Sequence, residues 1–565
     1  MPVLNSQGPA SGSAVHEMVY VHLDKQVYIA GESIRYKAYL VSSTGSNLPC
    51  SKIIYFNLTG SGIENRLDWR INLESSSAAG SLLLPEDLKP GIYVLTAYTN
   101  WMRNSPASTY FSDRILVTSL KSEGNPAIRF FNAQGPGKRL QPDMTEIGDE
   151  ETSLNFHAEK SEYTTDESVR FELDLKHSSK VVADISVSVY PVSPFDSMLL
   201  DPEMNEFINS GLARVYSNRK PAACLHKIED RGFILSGRII PNQNAPIDRC
   251  DVWLAVTDSI SPRILFSKVD TTGAFRFFLD RTYDNQELII QLADASMSSE
   301  CKLEVFSKTA MLADTATNSY ILDAEEQAYL STVKNIRLIE AIYGNNEQKA
   351  VSVSLKTGPA FLSMPNRVVI PSEYADLRNF REIASNILPE VRFGNRRDEF
   401  YLEVLSPNIN LWKDNFVVML NGVPFTDLVY ISTLGTKDIK RIEIIQPNVL
   451  VGDMTLPGMV SIYTYDNQIP ENYLRSHTVR FQNKVITSLQ GNEVLSGSNE
   501  VSDRHFPDFR NSIYWEPFVK LPSGNKIVVE FPATLLTGKF FIRAEGITSD
   551  GIPLSATEYF EITEQ

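Results

Sequence analysis

Short runs in which apolar and polar residues alternate with period two dominate this chain and commit most of it to β-structure. Ile34-Arg35-Tyr36-Lys37-Ala38-Tyr39-Leu40 is one such run, and Val19–Leu23 and Ile92–Tyr98 are others. Successive side chains of a strand point to opposite faces, so alternation marks a strand with one face in a core. Clusters of Gly, Pro, Asn and Ser interrupt the runs, as Pro90-Gly91 does before Ile92. Residues 17–118 therefore read as about seven strands at the spacing of a β-sandwich.

A repeat extends this reading. The block Lys25-Gln26-Val27-Tyr28-Ile29-Ala30-Gly31-Glu32-Ser33-Ile34-Arg35-Tyr36 recurs as Lys160-Ser161-Glu162-Tyr163-Thr164-Thr165-Asp166-Glu167-Ser168-Val169-Arg170-Phe171. In both copies a Tyr anchors a strand end, a Gly or Asp turn follows, and a new alternating strand begins. A second sandwich is expected at 152–192. The stretch 119–151, rich in Gly, Pro and polar residues, reads as a linker with one strand, and 1–16 as a flexible arm. Met204, Phe207, Ile208 and Leu212 have helical spacing, which predicts a helical insertion over 193–229.

A third β-module is expected at 230–307. Helical periodicity over Ala324–Tyr343, closed by Gly344-Asn345-Asn346, marks 308–365 as a helical linker. An α+β domain follows at 366–468, with an amphipathic helix over Leu377–Leu388. Its strands are expected at Phe400–Val404, Phe416–Leu420, Ile439–Ile445 and Gly458–Thr464. A last β-sandwich is expected at 474–565.

Composition narrows the function classes. The chain has 565 residues, 42% of them hydrophobic, which suits several packed cores. A net charge of −16 is a poor match for a nucleic-acid binder or a polybasic membrane-surface protein. No segment reaches the ~20 apolar residues of a membrane-spanning helix. The start Met1-Pro2-Val3-Leu4 carries neither a basic nor an apolar leader segment. That is the pattern of a cytosolic protein or of a mature domain behind a new Met.

The four cysteines form no C-x-x-C pair. Cys224 and His226 are close, but with no second ligand pair nearby they read as a buried thiol beside a solvated His. Cys250 and Cys301 flank the third β-module, and both a disulfide and two buried thiols stand open. No G-x-S-x-G, G-x-G-x-x-G, P-loop or EF-hand pattern occurs, and Gly60-Ser61-Gly62 reads as a turn. Asp149-Glu150-Glu151 and Glu325-Glu326 read as solvated charge. Tyr98, Trp101 and Trp515 read as core aromatics. Asn421-Gly422 has the composition of a two-residue hairpin turn. The alternative is that Asn421, Gly422 and Pro424 present a contact loop to a partner. No catalytic, cofactor or metal residues are assigned.

Three kinds of module carry a family resemblance. Residues 19–41 and 88–104 resemble the strand-rich second domain of alpha-2-macroglobulin-like proteins, and the copy at 160 resembles the next sandwich in line. Residues 233–259 with Asp270-Thr271-Thr272-Gly273-Ala274-Phe275 look like a carboxypeptidase regulatory-like domain. Phe380–Phe393, 417–447 and 456–465 resemble the plug of TonB-dependent receptors, with Asn421 where that pattern has Asp. Residues 505–551 look like a further macroglobulin domain.

The resemblance implies a mainly β fold of serial immunoglobulin-like or macroglobulin β-sandwiches plus one small α+β plug-like domain. It also implies a periplasmic or outer-membrane-associated envelope protein of Gram-negative bacteria. Two departures matter. The roughly 100 residues after Thr464 are too few for a receptor barrel, and no Cys precedes the Gly-Glu-Gln of a thioester. The expectation is a non-enzymatic protein that binds or scaffolds a protein partner, with an outer-membrane barrel as the candidate. The alternative is a thioester-less macroglobulin-type protease inhibitor. Its cleavable bait would be Lys308–Thr317 or Gln490–Arg504.

Overall fold

In a computed structural model the chain is mainly β and built of serial β-sandwich domains. The structure describes residues 16–42, 50–60, 66–121, 127–131, 152–199, 203–208, 210, 226–242, 250–257, 263–280, 283–294, 300–306, 317–343, 365–374, 376–397, 399–406, 411–413, 416–446, 449–451, 454–456, 458–474, 476, 478–486 and 509–564. Both bait candidates lie almost wholly outside these residues, as does Cys224. The chain divides into two units, one of residues 1–230, 308–351 and 486–565, the other of 231–307 and 352–485.

The first unit holds two sandwiches. The first is made of β1 (Glu17–Leu23), β2 (Val27–Ile29), β3 (Ser33–Ser42), β4 (Ile53–Thr59), β5 (Arg66–Asn72), β6 (Ser77–Leu83), β7 (Gly91–Tyr98) and β8 (Phe111–Thr118). One sheet has the order β1-β3-β6, the other β2-β8-β7-β4-β5. Tyr36, Phe56 and Trp69 pack in its core, where the Trp69 indole N–H donates to the Tyr36 hydroxyl at 3.1 Å. The strands Ala127–Phe131 and Thr317–Ile321 pair with each other beside β7. The predicted helix is present as α1 (Ala324–Tyr343).

The second sandwich departs from expectation. It takes β9 (Ser153–Ala158), β10 (Glu162–Thr164), β11 (Ser168–Lys176) and β12 (Val182–Pro191) from the 152–192 segment. Its other four strands are β13 (Tyr514–Pro522), β14 (Lys526–Pro532), β15 (Gly538–Thr548) and β16 (Pro553–Thr563). The sheets are β9-β11-β14 and β10-β16-β15-β12-β13. The segments expected as separate sandwiches at 152–192 and 474–565 are thus halves of one. The physical reason is plain in the sheet order, because β12 lies between β13 and β15 and has no strand of its own segment beside it. Val169, Phe171 and Val187 share one core with Phe531, Phe540 and Phe560.

Strand for strand, the two sandwiches have one topology. Each strand of the first corresponds to the strand numbered eight higher in the second. In both, the short second strand pairs parallel with the last, β2 with β8 and β10 with β16. The repeated block builds the same turn twice. Lys25 bridges Glu32 at 3.0 Å and Lys160 bridges Glu167 at 2.7 Å. Each Glu also accepts a backbone N–H at 2.9 Å, from Ile29 or from Thr164. The second sandwich is therefore a copy of the first with residues 192–513 inserted between its fourth and fifth strands.

A buried polar seam joins the two sandwiches. Lys37 on β3 donates to Asp184 at 2.7 Å and to the Pro517 carbonyl at 2.7 Å. Burial lowers the Lys37 ammonium to about 8 against the pull of Asp184. His22, 3% exposed, lies 2.7 Å from the Ser186 hydroxyl and 2.9 Å from that of Ser188. Burial, then Arg543 and Lys37, hold its pKa well below the usual value. Arg543 pairs with Glu545 at 2.5 Å and donates to the Tyr20 hydroxyl at 2.6 Å. Trp515, expected in a core, packs edge-on against His22.

The second unit combines the module at 230–307 with the α+β segment. Phe233–Pro241 lies between Ala274–Leu279 and Cys301–Val305 in one sheet. The other sheet has the order Arg263–Ser267, Val252–Val256, Glu287–Leu292, Val479–Gln482. That last strand was expected to belong to the C-terminal module, but it pairs with Glu287–Ile290. The α+β part has a five-stranded sheet in the order Arg367–Val369, Ile439–Ile445, Met459–Thr464, Val417–Leu420, Val423–Pro424. Helices α2 (Phe380–Ile387) and α3 (Leu428–Thr433) accompany it. Ala255 and Ile289 of the β-module join the apolar core of the α+β part, so the two form one body.

Candidate functional site

The Asn421-Gly422 turn is the place to begin. Leu420 pairs with Val423 across it, and φ is +48° at Asn421 and +85° at Gly422. Positive φ at both central residues is the geometry of a type I′ hairpin turn, which suits Asn-Gly. Asn421 is fully buried. Its amide N–H donates to the Thr464 hydroxyl and to the Gln468 carbonyl, each at 2.8 Å. Its side-chain oxygen accepts from the Thr464 N–H at 2.8 Å. Asn421 and Gly422 thus hold the turn together from inside, and the reading of them as an exposed contact loop does not fit their burial. Asn in place of the plug pattern's Asp supplies the two N–H donors that this position uses.

Pro424, the third residue of that group, is also buried, but it lines a cleft. The cleft has a volume of about 390 Å³. Its described walls are Trp253 and Ala293 of the β-module, Phe400–Leu402 on the strand Glu399–Ser406, Phe416–Val418, and Pro424, Phe425, Thr426 and Leu428 around the start of α3. None of these described residues carries a formal charge. Phe425 meets Tyr430 edge-on and Trp253 meets Phe266 edge-on. The Arg396 guanidinium lies 4.1 Å from the Tyr401 ring centre.

Two polar atoms at this place lack hydrogen-bond partners among the described residues. They are the indole nitrogen of Trp253, a side chain 4% exposed, and the side-chain oxygen of Gln291. Trp253 and Gln291 face each other across neighbouring strands. The Gln291 amide N–H donates to the Pro424 carbonyl at 2.8 Å and so fixes the hairpin against the β-module. Buried polar groups are normally paired, and an unpaired one costs free energy. An uncharged aromatic wall suits an apolar group.

The sequence did not lead to this cleft. Its walls come from two modules, and Trp253, Phe400 and Phe416 belong to separate segments of the sequence. The one signal was the hairpin, which pointed to the right loop for a different reason.

A second constellation among the described residues is closed. His22 with Ser186 and Ser188 has nucleophile-and-base composition, but the space beside it is about 10 Å³, room for about one water at most. Among the described residues no group of three or more His, Cys, Asp or Glu is placed to hold a metal ion. No described helix is long and apolar enough to cross a membrane.

Comparison with known proteins adds little at this site. No family model matches the chain, and no curated protein matches it. Among solved structures, the chain is similar to Salmonella alpha-2-macroglobulin reacted with methylamine at 8% identity and a TM-score of 0.22. It is similar to the native conformation of E. coli alpha-2-macroglobulin at 10% identity and a TM-score of 0.23. Each match covers 97% of this chain, but only 39% and 40% of the respective macroglobulins. The chain thus spans about two fifths of their length. A tetra-tandem repeat from the extending region of a large adhesion protein matches at 9% identity and a TM-score of 0.14, covering 97% of this chain and 100% of that one. Likenesses this distant carry no argument about what the chain binds.

Proposed function

We propose that this chain is a non-enzymatic binding or scaffolding protein of a Gram-negative cell envelope and that it engages a protein partner through the aromatic cleft. The observation that carries the proposal is the cleft itself, whose described walls are largely aromatic and carry no formal charge. Its size and lining suit an apolar side chain or short segment of a partner. The periplasmic or outer-membrane location rests on the sequence resemblance to macroglobulin sandwiches joined to a plug-like module, and an outer-membrane barrel as the partner rests on the plug-like module. A chain of serial sandwiches suits display of such a site.

Thr426 is exposed at the cleft rim and gives the test. A photoreactive residue placed there is expected to cross-link an outer-membrane protein in the native envelope. The same group at exposed Lys526, in the other unit, is expected not to. Filling the cleft by Ala293→Phe should abolish the Thr426 adduct while the strand signal in circular dichroism persists. Equal labelling from both positions, or an adduct indifferent to Ala293→Phe, overturns the proposal.

A further inference from the structure

The β-module of the second unit brings two cysteines together from its two sheets. Cys250 stands just before Val252–Val256 in one sheet. Cys301 opens Cys301–Val305 in the other, where it pairs with Pro241. Both are fully buried. Their sulfur atoms are 3.0 Å apart, nearer than two unbonded thiols ordinarily rest. A disulfide needs about 2.05 Å, so closure asks for a movement of about 1 Å. These two are the cysteines of this unit, whereas Cys50 belongs to the other.

We infer that Cys250 and Cys301 are a disulfide site, a covalent staple between the two sheets of this module. The oxidant is a small-molecule or protein disulfide. One cysteine thiolate attacks a donor sulfur, which forms a mixed disulfide and releases one donor thiol. The second thiolate then attacks the cysteine sulfur of that mixed disulfide and releases the other donor thiol. The two cysteine thiols lose two protons and two electrons, and the donor disulfide gains both. Neither sulfur is accessible in the folded module, so exchange takes place before the sheets close or during local opening. Burial then shields the bond from reductants. The staple lies three residues from Trp253 and fixes the strand that carries the cleft wall.

The proposal takes only its source of oxidant from the envelope reading, and the two can fail separately. The full chain carrying Cys50→Ala and Cys224→Ala is refolded from the reduced state with oxidised and reduced glutathione. It is then alkylated without reductant and digested for mass spectrometry. The expected product is one linked peptide pair containing Cys250 and Cys301, two hydrogens lighter than the separate peptides and split by reductant. The unmutated chain, directed to an oxidising compartment and never unfolded, is expected to give the same link with Cys50 and Cys224 alkylated. Alkylation of both Cys250 and Cys301, stable glutathione adducts, or pairing with Cys50 or Cys224 in these preparations overturns the proposal. A linked pair here, with a dithiol in protein taken directly from its native cell, would instead count against the envelope location.

Discussion

His22 shows how one residue couples two sandwiches to pH. The neutral imidazole can accept from one Ser hydroxyl and donate to the other, so it satisfies Ser186 and Ser188 at once. Protonation would bury a cation beside Arg543 and Lys37, with Asp184 and Glu545 already engaged by those two cations. The folded pKa is lowered, so the unfolded chain binds the proton first as pH falls. Stability from this group is therefore complete above about pH 6.5 and is lost between there and the folded pKa, at about 1.4 kcal/mol per pH unit. Urea unfolding across that range should show an acid slope that His22→Gln removes. Asn421 makes a second case. Asn421→Ala leaves the Thr464 N–H and the Gln468 carbonyl without this partner in a buried place and puts Ala at φ +48°. A loss of about 2–4 kcal/mol is expected in the unfolding of the second unit. Gly458 is stricter still, since at φ +150° a Cβ would stand 2.0 Å from a Phe416 ring atom and 2.6 Å from the Ile445 carbonyl. Gly458→Ala is expected to melt the five-stranded sheet, read as lost strand signal in circular dichroism.

Single elements were the most legible part of the chain. Helix α1 and the strand Ile439–Ile445 have the bounds that periodicity predicts. The Asp270 turn is legible for a local reason. Its carboxylate accepts from the N–H groups of Thr272 and Ala274, each at 2.9 Å, while Gly273 takes φ +82°. Helix α2 starts three residues later than the predicted Leu377 because Asn379 caps it, accepting from the Glu382 N–H at 2.9 Å. Glu382 in turn accepts from the Arg378 N–H at 2.9 Å. Asn379→Ala should cost about 1 kcal/mol, and Asn379→Ser much less. Thermal melts of the two variants would check the difference. Between residues 17 and 118 the described residues form eight strands rather than about seven, because the three-residue β2 is too short to show a period.

At the scale of the whole molecule, the second sandwich depends on chain that arrives hundreds of residues later. Its strand β12 is flanked on both sides by C-terminal strands. A chain ending at residue 508 should therefore leave β11 and β12 without slow amide exchange, while β7 in the first sandwich keeps its protection. Hydrogen exchange read by mass spectrometry separates this from independent folding of 152–192, in which β11 and β12 would stay protected.

The sequence by itself determined the strands, the turns and the repeated Lys-to-Glu block, because each depends on residues within a few positions of one another. It could not show that residues 152–191 and 514–563 make one sandwich. A β-strand leaves its hydrogen-bonding edges unsatisfied, and its pattern does not say which strand will satisfy them. The tertiary structure alone decided that pairing, the polar seam around His22 and the aromatic cleft, since each is built from side chains of distant segments that meet only when the sheets close.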